Sequence, residues 1–481
     1  MSARLIARFL GILLIVEAFF MATSIAWGII DGDSTAIMNF GIATAITAIS
    51  ALVLILIGRA PSDIIHPREA IATVTIGWTL VGAFGAIPYL LEGTFSHFAD
   101  AFFESVSGFT TTGASAITNV EVLSRSLLWW RSLTQWMGGM GIIVLFIAIL
   151  PRLGLGATRL FRSEVPGPIT ERLRPKLRQT SLILWYVYMG LTGVEAMILV
   201  FLGVSPFHAL CHSFTTMATG GFSTLNASIA GFNSMAVEMT VLGFMFLAGI
   251  NFTLYFRIVQ GKPQNLWRDP EFRTYLGILL LAFIILTTAL IPSMPSVTQA
   301  LRYASFQVVS LQTTTGFATD DFDLYPSVAR FLLVGLMFVG GSAGSTAGGI
   351  KIARYMVLWR ALANVVMKSF RPNVVTAVKI GTTPVDRETV LSVSTFFAAF
   401  MGLFFFGSLF MAILGLDPVS AATSVVACLA NIGPGLGAVG PTQNYAFIAP
   451  AGKVVLSALM ILGRLEILTV VALLFPSFWR R

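Results

Sequence analysis

The chain has 481 residues, of which 56% are hydrophobic and 11% charged, with a formal net charge of +8. A soluble domain carries roughly 25% charged residues, so a string of soluble domains is excluded and a polytopic membrane protein is indicated. Its two cysteines, Cys211 and Cys428, both lie in apolar segments, which points to neither a disulfide framework nor a CxxC metal site.

Arg4 and Arg8 precede an apolar run from Phe9 to Ile30 that imitates a signal peptide. The run exceeds the usual h-region and a second hydrophobic segment follows at once, so it is expected to stay attached and span. Apolar runs of about 20 residues suffice to cross a hydrocarbon core of about 30 Å. On that basis spans are expected at 5–29, 36–58, 71–91, 129–150, 181–203, 236–257, 274–292, 329–360, 389–414 and 454–475. Between them, 98–110, 206–217, 298–312 and 418–430 are apolar but too short to span, and fit re-entrant half-helices.

Each half-helix runs into a phrase rich in threonine or glycine: SGFTTTGASA at 107–116, TMATGGFSTL at 216–225, LQTTTGFATD at 311–320 and LANIGPGLGA at 429–438. Aligned on one glycine, these give Gly113, Gly221, Gly316 and Gly433, spaced 108, 95 and 117 residues apart. That spacing accommodates a helix, a half-helix, an extended phrase and a second helix in each unit. The expected organisation is therefore two N-terminal helices in 1–70 and four repeats at 71–178, 179–273, 274–387 and 388–481.

Basic residues are retained on the cytoplasmic side, and the basic connections are 152–178, 257–273 and 351–387. They alternate with the connections that hold the phrases, which carry Glu92, Asp100, Glu104, Asp320, Asp321 and Asp323. The phrases are thus expected outside and both termini in the cytoplasm, which accounts for the positive charge without nucleic acid.

An extended segment inside a membrane must line a polar cavity or be buried in protein. Four of them around one axis make a pore lining, whose inward carbonyls can replace the hydration shell of a cation. Glycine permits the backbone angles that turn neighbouring carbonyls the same way, and threonine supplies a stiff backbone and a hydroxyl. Each half-helix directs its partially negative C-terminal end at the cavity, and Asp320, Asp321, Asp323 and Glu104 are expected to add an attractive field at the outer mouth.

Two features below the phrases suggest a gate. Glycines and small residues from Gly340 to Gly349 interrupt the longest apolar segment, where each glycine costs about 1 kcal/mol relative to alanine in a helix. Close helix packing through small residues is the alternative. The Gly344–Gly349 spacing imitates a phosphate loop, but Ile350 occupies the lysine position, Lys351 comes one residue late and no strand pattern precedes it. Arg464 is the second feature, a charge expected in the middle of an apolar helix and so facing a cavity or a partner. Glu17 and Glu195 are read as pairing or snorkelling, with a functional role as the lesser alternative, and His208 and His212, which flank Cys211, as packing groups in preference to metal ligands. No convergent set of nucleophile, base or metal ligands appears, so an enzyme is not expected.

These residues, with QWMGGMGI at 135–142, GGSAGSTAGGIK at 340–351 and ILGRLEIL at 461–468, resemble the Trk/Ktr/HKT superfamily of potassium transporters, most closely the TrkH/TrkI-type bacterial subunit. The resemblance covers essentially the whole chain. It implies an all-α polytopic fold: two extra N-terminal helices, then four helix/pore-helix/helix repeats around a pseudo-fourfold central pore. It also implies potassium uptake across the bacterial inner membrane, with K+ as the transported ion and no organic cofactor. Carried over by position, ion-coordinating carbonyls would come from Thr111, Thr112, Thr219, Gly220, Thr314, Thr315, Asn431 and Ile432, beside Gly113, Gly221, Gly316 and Gly433. Glycine at 113 is associated with potassium preference and serine there with sodium. Asn431, Ile432 and Pro434 depart from the TTG pattern, which puts a symmetric filter in doubt. The gate would comprise Gly340, Gly341, Gly344, Gly348, Gly349, Lys351 and Arg464. The implied partners are a second copy in a homodimer and cytosolic TrkA-type nucleotide-binding subunits, docked on the basic loops at 152–178 and 360–387. Proton- or sodium-coupled symport is the alternative reading, although all four repeats share one orientation, unlike the inverted halves of an alternating-access carrier.

Overall fold

The computed structural model describes residues 2–59, 67–139, 141, 177–371, 373, 377–381 and 383–479. The basic connection at 152–176 and most of the second half of the expected span at 129–150 lie outside them. Two long apolar helices, Ala3–Asp31 and Ser34–Ile57, form a hairpin. Gly32 closes the first in a left-handed conformation at φ 68°, and the Asp33 carboxylate caps the second by accepting from the amides of Thr35 at 3.1 Å and Ala36 at 3.0 Å.

A pattern then recurs four times: a long helix, a short helix, an extended phrase and another helix. The short helices are Phe98–Phe109, Pro206–Met217, Val297–Gln312 and Pro418–Leu429. Sequence dictates their starts at three of the four, where Ser205, Ser296 and Asp417 accept from first-turn amides. Proline at 206 and 418, lacking an amide hydrogen, suits the first turn. The long helices before them are Pro67–Gly85 (continued by Ile87–Leu91), Leu177–Phe201, Pro270–Leu290 and Arg387–Ile413. Those after the phrases are Arg125–Gly139, Met235–Ala248, Ser327–Val339 and Pro450–Arg464.

Packing closes these units into a ring. Helix Arg125–Gly139 packs on Pro206–Met217, Met235–Ala248 on Val297–Gln312, Ser327–Val339 on Pro418–Leu429, and Pro450–Arg464 on Phe98–Phe109. Each second helix thus meets the short helix of the next unit, and the fourth returns to the first. Glycine allows the close approach to a unit's own short helix. A Cβ on Gly138 would run into the carbonyl of Phe109, and one on Gly463 into that of Leu429. This is the all-α, pseudo-fourfold architecture expected from the sequence.

Six helices among the described residues are long and apolar enough to cross a bilayer, and two bent pairs pass as joined spans. The bends correct two expectations. The span at 236–257 turns by 92° between Ala248 and Phe252, where Asn251 caps a new helix by accepting from the amide of Thr253 at 2.9 Å. The span at 454–475 turns by 110° after Arg464, where Glu466 and Ile467 leave the right-handed region with φ of 60° and 28°. Arg464 therefore ends a helix instead of occupying the middle of one. The segment at 329–360 divides, as expected, into Ser327–Val339, a loop, and Ile352–Phe370.

Among the described residues, ion pairs between helices lock the bundle. Arg131 donates to Glu104 at 2.8 Å with both side chains buried. Arg302 makes two hydrogen bonds to Glu238 at 2.6 and 2.7 Å, and Lys453 reaches Asp100 at 2.6 Å. The Glu104 carboxylate also accepts from the amide of Ala116 at 2.8 Å and the hydroxyl of Ser115 at 3.0 Å, while Arg131 donates to the carbonyl of Ser223 at 2.9 Å. The pair thus ties the first short helix to the second helix of its unit and to the second phrase. Removing one partner strands a buried charge, so Arg131→Met is expected to cost about 3–5 kcal/mol. The loss should show as a lowered thermal midpoint in detergent, with Glu104→Gln/Arg131→Met recovering most of it.

Candidate functional site

Each short helix ends in the same backbone motif. The amides of Thr112, Gly220, Thr315 and Ile432 donate five residues back, to the carbonyls of Ser107, Thr215, Ser310 and Ala427, at 2.8–2.9 Å. The amides one residue earlier donate three residues back, to Gly108, Thr216, Leu311 and Cys428. These are the two bonds of a Schellman motif, which requires a left-handed residue between them. That residue is Thr111 at φ 55°, Thr219 at 53°, Thr314 at 59° and Asn431 at 56°. Glycine is the usual occupant. A β-branched residue there is strained by about 1–3 kcal/mol, a cost met only where the surroundings over-determine the conformation.

The next residue in each phrase returns to negative φ, and the glycine after it is positive again: Gly113 at 82°, Gly221 at 77°, Gly316 at 78° and Gly433 at 102°. The four glycines are brought together. A Cβ on Gly113 would meet the carbonyl oxygen of Gly220, one on Gly221 that of Thr315, one on Gly316 that of Ile432, and one on Gly433 that of Thr112. The contacts run from first phrase to second, third and fourth, and back to the first. Glycine is thus required twice at each position, by conformation and by the neighbouring oxygen.

Behind this ring the side chains differ. Thr110 and Thr112 share a hydroxyl hydrogen bond of 2.7 Å, and Thr313 and Thr315 one of 2.8 Å. In the fourth phrase the Asn431 amide donates to Thr112 Oγ1 at 2.9 Å and to the Met460 carbonyl at 3.0 Å. The departure from TTG therefore leaves the main-chain pattern intact through Gly433. Beyond it, Tyr445 donates its hydroxyl to the Gly433 carbonyl at 2.8 Å.

The loop from Gly340 to Lys351 lies against the C-terminal ends of the short helices. Thr346 Oγ1 donates to the carbonyl of Met217 at 3.0 Å, the amide of Gly348 to Thr314 Oγ1 at 2.7 Å, and the amide of Gly349 to the Ala430 carbonyl at 3.0 Å. The second unit holds it too: Ser342 donates to Gly249 and Phe252 to Gly344, each at 3.0 Å. Gly340, Gly344 and Gly349 have φ near 75°, and Gly340 abuts Gly348 and Gly349, closing the loop on itself. Gly341 packs against Ala347. Lys351, at φ 75°, is buried within electrostatic range of Glu466, Glu271, Arg354 and Arg464.

Arg464 clamps the loop to the first unit. It donates to the carbonyls of Thr346 at 2.9 Å, Gly138 at 2.6 Å and Gly139 at 3.0 Å. Glu466 forms an ion pair with Arg354 of the helix that follows the loop. Glu271 accepts from the loop amide of Ala343 at 2.6 Å. Sequence reading missed both contacts, because they join residues 72 and 112 positions apart and leave no local signal.

Three further expectations need correction or definition. Glu104 is neutralised inside the protein and offers no field at an outer mouth. Glu17 and Glu195 are fully buried; the Glu17 carboxyl has no hydrogen-bond partner among the described residues and Glu195 lies beside Thr216, so neither snorkels to an interface. His208 bonds Thr224 Oγ1 at 2.6 Å and His212 bonds Ser223 Oγ at 3.1 Å, which makes them packing groups behind the second phrase.

The family model described as a cation transport protein, TrkH, matches residues 35–480. The Trk system potassium uptake protein TrkH of Salmonella typhimurium is 38% identical, with 100% of both chains covered. The Trk system potassium uptake protein TrkI of Halomonas elongata is 34% identical over 99% of this chain and 97% of its own length. The crystal structure of the potassium transporter TrkH from Vibrio parahaemolyticus superimposes with a TM-score of 0.90 at 35% identity, covering 100% of both chains. With the closed ring of four units and matches that span its length, the chain belongs to the TrkH family of cation transport proteins.

Proposed function

We propose that this protein is a potassium-uptake subunit of a bacterial inner membrane, and that its selectivity filter is the ring of phrases. The observation that carries the reading is the closed circuit in which each phrase's glycine touches the next phrase's carbonyl. Alternating φ signs turn successive carbonyls of 111–112, 219–220, 314–315 and 431–432 toward a common axis, where they replace the water a potassium ion sheds. The negative ends of four short helices reinforce that field.

Gly340, Gly341, Gly344, Gly348, Gly349 and Lys351 belong to the gate, with Arg464 as its clamp. A loop bonded to Met217, Thr314 and Ala430 closes the route beneath the filter, and a guanidinium there repels cations. Opening must break the three carbonyl bonds of Arg464, so a force applied to the basic cytoplasmic connections has a defined target. The alternation of basic and acidic connections supports cytoplasmic termini. Family likeness supports a homodimer and a cytosolic nucleotide-binding partner docked at 360–387.

Gly113→Ser puts a Cβ into the Gly220 carbonyl. In proteoliposomes it should lower the rubidium-to-sodium flux ratio by about tenfold, equivalent to about 1.4 kcal/mol; an unchanged ratio would remove the filter assignment. Arg464→Ala deletes hydrogen bonds from a charged donor that are worth about 1.5–3 kcal/mol each. Rubidium flux through the protein alone should rise several-fold, with the selectivity ratio preserved.

A further inference from the structure

The second phrase has neither the threonine pair of the first and third phrases nor the asparagine of the fourth. In the first and third phrases the residue before the filter glycine is threonine, bonded through its hydroxyl to a threonine two residues earlier. The fourth phrase is held from behind by Asn431. In the second phrase the corresponding residues are Ala218 and Gly220, which carry no side-chain donor or acceptor.

The vacated space is filled from another unit. A Cβ on Gly220 would meet Gln135, whose amide atoms supply all three of its nearest neighbours. Gln135 lies on helix Arg125–Gly139 and is fully buried. Its Nε2 donates to the Gly220 carbonyl at 2.6 Å, and its Oε1 accepts from the Phe222 amide at 3.0 Å. A backbone N–H can only donate and a carbonyl only accept, so the two partners together fix the amide's orientation. The bonds bracket Gly221, the ring glycine of this phrase.

We propose that Gln135 is a specificity-determining positioning residue, an intramolecular replacement for the side chain missing at 220 that sets the radial position of the Gly220 carbonyl. The proposal rests on the filter reading above. Gly220 is held at both ends: the Thr215 carbonyl takes its amide at 2.8 Å and Gln135 takes its carbonyl. Without Gln135 that carbonyl rotates freely and the ring loses the fixed spacing that separates potassium from a smaller ion.

The test is the rubidium-to-sodium flux ratio in proteoliposomes. Gln135→Leu keeps most of the volume and removes both bonds, and should lower the ratio by about tenfold while sodium flux is maintained or rises. Gly220 is outside the left-handed region and the three atoms nearest a Cβ there all belong to Gln135, so Gln135→Ala/Gly220→Ser should restore part of the ratio lost in Gln135→Ala. An unchanged ratio, or equal loss of both fluxes, overturns the proposal. Should the position-135 variants fail to assemble, Gly220→Ser with Gln135 retained is the deciding measurement. It displaces the amide and should lower the ratio, and a wild-type ratio overturns the proposal. Gly113→Ser measured alongside separates the two levels: a shift there without one here defeats only the role of Gln135, whereas no shift in either defeats the filter itself.

Discussion

An amide or carbonyl inside a bilayer must be satisfied by protein, because lipid offers no hydrogen bond. This protein runs four stretches of non-helical chain into its interior, and its architecture follows from that constraint. The first turn of each phrase is satisfied by the Schellman bonds, its flanks by hydroxyls or by the amides of Asn431 and Gln135. In the proposed filter, the carbonyls of Thr112, Gly220, Thr315 and Ile432 are the ones that face the ion. The loop beneath obeys the same rule, taking its partners from the ends of three short helices and from the second unit.

Strain accompanies this satisfaction. Three threonines and an asparagine adopt a conformation that glycine would enter freely. Glycine there would remove the Asn431 amide that reaches Thr112 and the Thr314 hydroxyl that receives the loop. The ring of phrases and the loop are therefore joined at Thr314 and at the Ala430 carbonyl, so a displacement of one alters the hydrogen bonding of the other. Arg464 extends that linkage to the first unit. Four unequal phrases thus act as one body even though each is backed differently.

Much of this was legible in the sequence. The register of Gly113, Gly221, Gly316 and Gly433 survived because a backbone position that excludes Cβ leaves a glycine wherever it recurs. The loop at 340–349 was visible for the same reason, since glycine in an apolar run is costly unless the helix breaks. The bends at 249–251 and 465–467 were not, because apolar residues flank them and the cause lies in an asparagine cap and in an ion pair to another helix. Glu104 was read as an outer charge because a charge count carries no depth; its partner Arg131 is 27 residues away. Gln135 stood inside a quoted motif with no hint that it answers a glycine 85 positions later.

The central claim is that main-chain oxygens of Thr112, Gly220, Thr315 and Ile432 surround a site for a dehydrated potassium ion. Anomalous scattering from crystals soaked in rubidium or thallium tests this most directly. The account predicts a peak on the axis of these four oxygens, lost when the salt is exchanged for lithium. A heavy-ion peak elsewhere in the molecule, with nothing between the four glycines, would contradict it.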